Sequence, residues 1–251
     1  MFGYHSYNKN IRNIVVLFGT VFNDISIKRL KADGTVEREF KVPIAYGPAE
    51  KFLSKLNQQS VTHSITLPRM SFEITDYAYD AARKLQTTKK IKKVKSESTT
   101  QLNTIYNPVP YDFNITLSIM VKYSDDGTQI LEQILPYFTP EFQVTMNEMS
   151  TMGLKRDIPI ILTGVSTEDT YEGEFLTRRA LIHTLTFTVK GHIYGRTTDQ
   201  GVIREVDVNL GANMNDKKEV NIDIKPDPTT ADADDSFGFT ETITDLWKVK
   251  L

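Results

Sequence analysis

Between Tyr111 and Tyr123 the chain alternates with a period of two. Phe113, Ile115, Leu117, Ile119 and Val121 fall on one side, and Asn114, Thr116, Ser118 and Lys122 on the other. Successive side chains of a strand point to opposite faces, so this pattern specifies a β-strand with one face against a core. Met120 is the one apolar residue on the polar side. A strand of this kind needs neighbours, and the sequence supplies them. Leu67–Tyr77 alternates with Met70, Phe72 and Ile74 on one side. Arg178–Tyr194 does so with Leu181, His183, Leu185, Phe187, Val189 and Ile193. Phe142–Met146, Ile158–Val165 and Val202–Leu210 also read as extended. Phe22–Leu30 and Thr35–Val42 flank the turn Lys31-Ala32-Asp33-Gly34, in which Asp-Gly supplies the positive-φ position of a hairpin.

Two segments change to helical spacing. Gly47-Pro48 opens one, with Pro pre-set for the first helical position and Ala49, Phe52, Leu53 and Leu56 at i, i+3, i+4 and i+7. Ser124-Asp125-Asp126-Gly127 has the composition of a cap before Ile130, Leu131, Ile134, Leu135 and Phe138, and Pro136 disrupts the last turn. Strands outnumber helices and follow one another in hairpin-like succession. The expected class is therefore α+β: a largely antiparallel sheet with two short helices. Ile14–Phe22, preceded by Lys9 and Arg12, resembles a signal-peptide core, but Asn23-Asp24 follow in place of a small-residue cleavage site. Nine mostly apolar residues are also far short of the roughly 20 that span a bilayer. A buried strand or short helix is the reading, and no membrane partner is expected.

Two segments leave the alternating pattern. Residues 87–104 are polar and Lys-rich, which suggests a mobile loop or a long hairpin tip. From Asn215 the hydrophobic periodicity fades, and no basic residue occurs between Pro226 and Trp247 while Asp227, Asp232, Asp234, Asp235, Glu241 and Asp245 accumulate. This reads as an extended acidic tail whose end, with Phe237, Phe239, Leu246 and Trp247, orders on a partner. The expected organisation is one α+β domain over 1–210 and an acidic C-terminal extension over 211–251.

Catalytic chemistry finds little support. The chain has no cysteine, which removes disulfides, thiolate metal sites and cysteine nucleophiles. His5, His63, His183 and His192 include no i, i+4 pair, and His183 on its apolar face reads as a hydrogen-bonded core histidine. Phosphate-binding glycine loops and a GxSxG elbow are missing. Asp125/Asp126, Glu168/Asp169 and Glu172/Glu174 read as solvated loop carboxylates. Residues 232–238 only partly copy a calcium loop, since Phe237 stands where the sharp-turn glycine belongs and Ile243 where the bidentate glutamate belongs. No cofactor and no metal are expected. A formal net charge of −2 argues against a dedicated nucleic-acid binder and leaves any electrostatic partner to a local patch. Lys89, Lys90, Lys92, Lys93 and Lys95 form such a patch. Without arginine or interleaved aromatics it suits solvent or an acidic protein surface better than DNA.

Several segments are similar to another set of proteins. Met1-Phe2-Gly3-Tyr4, Asp24-Ile25-Ser26-Ile27-Lys28-Arg29 and Val42-Pro43-Ile44-Ala45-Tyr46 resemble the start of tail sheath stabiliser and completion proteins of contractile-tailed phages. The resemblance continues through Leu67-Pro68-Arg69-Met70 and Tyr106-Asn107-Pro108. It is most specific across Tyr123–Phe142, which contains Ile130-Leu131-Glu132-Gln133-Ile134-Leu135-Pro136-Tyr137-Phe138. It resumes at Lys155-Arg156-Asp157-Ile158 and at Arg178-Arg179 leading into Leu185-Thr186-Phe187, covering about residues 1–195. The Lys-rich loop and the acidic tail depart from it.

The resemblance implies a non-enzymatic virion protein, assembled in the host cytoplasm. It would be a hexameric ring of copies of this chain, seated on the last tube and sheath rings at the head-proximal end. Tail sheath protein, tail tube protein and neck or head-completion proteins would be its partners, and DNA would pass through the ring lumen. Candidate interface residues are the five lysines above, Arg178, Arg179, Phe237, Phe239 and Trp247. The rival readings are another neck or baseplate adaptor, a nucleic-acid-binding assembly protein, and a hydrolase using the carboxylates of 168–174.

Overall fold

The computed structural model describes residues 5–31, 33–57, 66–95, 98–170, 180–211, 220–231 and 235–245. In chain order the elements are α1 (Asn10–Val21), β1 (Ser26–Leu30), β2 (Val36–Lys41), β3 (Ile44–Tyr46), α2 (Ala49–Asn57), β4 (Arg69–Tyr79), β5 (Lys90–Lys95), β6 (Ser98–Tyr106) and β7 (Val109–Val121). There follow α3 (Ser124–Ile134), a 3-10 turn (Leu135–Tyr137), β8 (Glu141–Met149), β9 (Leu154–Thr170), β10 (Ala180–Ile193), β11 (Thr198–Gly201), β12 (Val206–Leu210), β13 (Val220–Asp227) and β14 (Gly238–Asp245).

The chain separates into two compact units, one of residues 1–86 with 108–194, the other of 87–107 with 195–251. This division differs from the expected boundary at 210. The Lys-rich segment and the chain after Tyr194 cluster together, because β11 pairs with β6 through Thr198↔Thr104 to Gly201↔Gln101.

The first unit is built on a six-stranded sheet of order β3-β4-β7-β10-β9-β8, antiparallel throughout except for the parallel β3–β4 pair. The alternation in β7 lies at its centre. Phe113, Ile115, Leu117, Ile119 and Val121 are fully buried. Register places Ile115 between Ile74 and Phe187, and Leu117 between Phe72 and Leu185, so three strands contribute one continuous apolar face. Directly opposed residues of antiparallel strands share a face, which is why one register is strongly preferred here.

Ile14–Phe22, left open between strand and helix by its sequence, forms α1 and its C-cap. Ile14, Phe18 and Phe22, spaced by four, are its buried side. The ring centroid of Phe18 lies 5.3 Å from that of Phe187 and 5.1 Å from that of Phe72. Phe22 lies 5.4 Å from Phe187, and Phe138 lies 5.1 Å from it. Burying each such ring stabilises the fold by roughly 1.5–3 kcal/mol. A Cβ on Gly191 of β10 would come within 2.7 Å of both Ile14 Cδ1 and Phe113 Cε2, so glycine is what permits this close approach. The three α-helices, where two were expected, reflect α1, and the strand expected from Phe22 begins only at Ser26.

Met120, the exception to alternation, is buried on the opposite face of the sheet with Phe52 of α2 and Ile182. Helices thus contact both faces, α1 and α3 on one and α2 on the other. None of the described helices is long and apolar enough to cross a membrane.

The second unit contains two three-stranded sheets, β11-β6-β5 and β12-β13-β14. Of the two readings of the Lys-rich segment, mobile loop or long hairpin, the structure forms the hairpin, paired from Lys90↔Tyr106 to Val94↔Leu102. The segment read as an acidic tail contains β13 and β14, antiparallel over eight consecutive pairs. Val220, Ile222 and Ile224 alternate with Asn221, Asp223 and Lys225, a strand pattern that the acidic composition obscured.

Candidate assembly surfaces

β5 is an edge strand, with β6 on one side and no described strand on the other. Alternation along it sends Lys90 and Lys92 to one face and Lys93 to the other. Lys89, Lys90, Lys92 and Lys93 are exposed and form no ion pair among the described residues. Lys90 Nζ lies 5.0 Å over the Tyr106 ring, a cation–π contact. Lys95 alone is paired, with its Nζ 3.0 Å from Asp199 Oδ2 on β11. Lysines on an exposed edge have a structural use, because they discourage adventitious strand pairing.

The β12-β13-β14 sheet is two-faced. Val206, Val208 and Leu210 lie opposite Ile224, Ile222 and Val220, and Pro226 and Ile222 lie opposite Phe239 and Ile243. The other face carries Asp207, Asn209, Asn221, Asp223, Lys225, Thr240, Thr242 and Thr244. On the apolar face Phe239 is 72% and Ile243 60% exposed. A shallow depression of about 170 Å³ there is lined by Val206, Ile224, Pro226, Ala231, Phe237 and Phe239. Sequence reasoning singled out Phe237 and Phe239 but missed Val206, Val208 and Ile243, which the two-residue period of β12 and β14 could have revealed. Arg178, Arg179 and Trp247 lie outside the described residues, as do His63, Glu172, Glu174 and the start of the calcium-loop-like run.

Two polar clusters of the first unit, one buried and one half-buried, are paired internally, while Ser71 Oγ, Arg69 Nε and His183 Nε2 are buried without a hydrogen-bond partner among the described residues. Glu148, whose side chain is 2% exposed, accepts from Tyr194 Oη at 2.5 Å, lies 3.2 Å from His192 Nδ1, and has Arg156 Nε at 3.6 Å. Burial alone would raise its pKa, but the bonds from His192 and Tyr194 and the nearby cations outweigh this and hold the carboxyl below its ordinary value. Tyr194 is pushed up by burial and by that carboxylate. Arg83 joins Asp80, at 2.6 Å, to Asp112, at 2.7 Å, and its bond holds the Asp80 carboxyl at about 2.

Asp126, expected to be a solvated carboxylate, is instead buried in α3 and paired at 2.7 Å with Arg29, whose guanidinium also covers Phe40 and Tyr123. His183 is buried with Nδ1 2.9 Å from Thr167 Oγ1, as a hydrogen-bonded core histidine should be. Glu168 is exposed. No three His, Asp or Glu side chains among the described residues are arranged to hold a metal. Each buried charge thus has a partner that explains it, and the remaining distinctive features are surfaces.

A sequence profile of the T4-like virus Myoviridae tail sheath stabiliser family matches residues 5–248. The chain belongs to that family. It is also 35% identical over 227 residues to tail completion protein gp15 of Enterobacteria phage T4, covering 86% of this chain and 82% of that protein. As a tail sheath stabiliser family member the chain is a structural component of a phage tail, and the family is not an enzyme family. The matched span reaches beyond residue 195 and takes in both sheets of the second unit. The Lys-rich hairpin and the β12-β13-β14 sheet thus lie within the matched span.

Proposed function

We propose that the chain forms a hexameric ring that caps the tail tube and sheath at the head-proximal end and offers the neck its attachment surface. DNA would pass through the lumen, and assembly would take place in the host cytoplasm. The observation that carries this reading is the family match over residues 5–248, joined to a relative named for tail completion. Physical features support it. A terminator needs one surface complementary to the polymer end and another that the next polymer subunit cannot use. Head-to-tail contacts close into a ring, and symmetry matched to the tail multiplies weak contacts into avidity. Among the described residues no strand covers the outer side of β8 in the six-stranded sheet, or of β5 and β14 in the smaller sheets, so strand addition by neighbouring subunits or tail proteins has templates.

The test is negative-stain electron microscopy of the purified chain mixed with extended tails lacking their completion protein. Six-fold caps confined to one tail end are expected. Chains that ignore tails, or that decorate their whole length, would overturn the reading.

A further inference from the structure

Two edges of the second unit carry opposite charge. β5 contributes Lys90, Lys92, Lys93 and Lys95, follows directly on Lys89, and contains no carboxylate. β14 contributes Glu241 and Asp245 and no basic residue. The sheet behind β14 strengthens the contrast, since β12, β13 and β14 hold Asp207, Asp223, Asp227, Glu241 and Asp245 against the single Lys225. Lys225 is already engaged by Glu205 at 3.1 Å and Asp223 at 2.8 Å. The charges of the two sheets do not cancel internally. Lys95 pairs with Asp199 and Lys225 with Glu205 and Asp223, which leaves Lys90, Lys92 and Lys93 of β5, with Lys89 just before it, and Asp207, Asp227 and Glu241 of the other sheet without an ionic partner among the described residues.

The two edges also differ in how they are guarded. A free strand edge presents unpaired N–H and C=O groups, and proteins protect it with lysine, proline or a bulge. β5 has its lysines and a bulge at Val94/Lys95. β14 has none of these devices. Its eight residues pair with β13 without a break in register, and Phe239, Thr240, Thr242, Ile243 and Thr244 are exposed residues of high strand propensity. An edge left open in this way is suited to being covered.

We propose that β5 of one copy of this chain adds to β14 of the next, so that sheet β11-β6-β5 continues into the neighbour's β14-β13-β12. The occupant of the acidic edge is thus a second copy, and the argument is charge complementarity between edges. Pairing β5 with β5, or β14 with β14, would set like charges side by side, whereas β5 on β14 sets lysines beside carboxylates. Only the head-to-tail combination is favoured, and a heterologous contact that closes on itself gives a ring. The proposal rests on the ring reading above and specifies which surfaces join its subunits.

Charge reversal tests it through complementation. One variant carries Lys90→Glu, Lys92→Glu and Lys93→Glu, so both of its edges are acidic; a second carries Glu241→Lys and Asp245→Lys, so both are basic. Each is added alone, and then the two as an equimolar mixture, to tails lacking their completion protein, and capped ends are counted. Each variant alone should cap about tenfold fewer tails than the wild-type chain. The mixture should restore capping, because acidic β5 meets basic β14 and basic β5 meets acidic β14 in an alternating ring. A single chain carrying all five substitutions should cap unaided. Circular dichroism melting shows whether each variant is folded, and rescue in the mixture excludes misfolding independently.

Variants that cap normally alone, or folded variants that neither the mixture nor the five-substitution chain rescues, would overturn the strand pairing while leaving the ring intact. Failure of the wild-type chain to cap tails would instead overturn the ring reading.

Discussion

Gly127 in the first turn of α3 and His183 on β10 touch with no room between them for a side chain. A Cβ on Gly127 would overlap Nε2 of the imidazole, come within 3.0 Å of its Cδ2, and meet Val121 Cγ2 at 3.2 Å. The ring cannot easily yield, because it is buried and its Nδ1 is held by Thr167. On an open helix Gly→Ala would stabilise by about 1 kcal/mol, but overpacking at a rigid contact costs about 1–3 kcal/mol. Gly127→Ala should therefore destabilise the chain by about 1–2 kcal/mol in urea denaturation. The same substitution in a His183→Ala background should be neutral or stabilising; an unchanged cost there would show that the contact is not the cause.

Arg29 and Asp126 tie β1 to α3 through a 2.7 Å ion pair in which the carboxylate side chain is 3% exposed. Hydrogen bonding to Asp126 is the main reason that the Arg29 pKa is raised. Removing one partner leaves the other charge uncompensated, so Arg29→Met should cost about 1.5–3 kcal/mol of folding stability. The double variant Arg29→Met/Asp126→Leu should recover part of that loss. A double-mutant cycle with no coupling would refute the assignment.

The strands with unbroken alternation were legible because both β7 and β10 bury one whole face. Their neighbours explain what was not. Met120 broke the pattern of β7 because α2 lays Phe52 over the other side of the sheet, a tertiary contact with no local signature. Ile14–Phe22 was ambiguous because a short apolar run suits a buried strand as well as a helix; the spacing of Ile14, Phe18 and Phe22 carried the answer. β13 and β14 were hidden by their carboxylates, which gave the segment the composition of a tail: Asp223 and Asp227 occupy the polar face, whereas Glu241 and Asp245 lie opposite Ile224 and Val220 and interrupt the apolar one. The lysines were conspicuous, but their placement on a sheet edge follows from pairing with β6, which composition does not encode. The functional class came from resemblance alone, since a surface that binds a polymer end needs no catalytic residue spacing.

Three groups make the folded chain lose stability in acid, His183 first and the two carboxylates in overlapping ranges at lower pH. Burial lowers the His183 pKa from 6.5, so the folded state resists its protonation, and its contribution is present above pH 6.5 and lost as pH falls below that value. Glu148 is held below 4.5 by its bonds to His192 and Tyr194, with Arg156 nearby, so its contribution is present above pH 4.5 and lost below it. Asp80, held at about 2 by Arg83, follows between 3.8 and that value. Thermal melts should thus fall in stages from neutral pH downwards. His183→Asn should flatten the first stage and leave the fall below pH 4.5, and Glu148→Gln should lessen that later fall. A melting profile unchanged by Glu148→Gln would contradict the pairing at its carboxylate.

The lysines of the β5 edge should matter for assembly and very little for folding. Lys89, Lys90, Lys92 and Lys93 are exposed and make no ion pair among the described residues, so their combined replacement by alanine should change folding stability by no more than about 0.5 kcal/mol. If these side chains instead gripped duplex phosphates, affinity would fall with salt at a log–log slope of about −4, one 0.9 increment per contact. The strand lacks arginine, and Tyr106, the aromatic beside it, is already covered by Lys90, so no stacking platform is available. Fluorescence anisotropy with a duplex oligonucleotide should therefore show binding no tighter than about 10⁻⁴ M at physiological salt. A steep salt slope that disappears in the alanine variant would reassign the strand to nucleic acid.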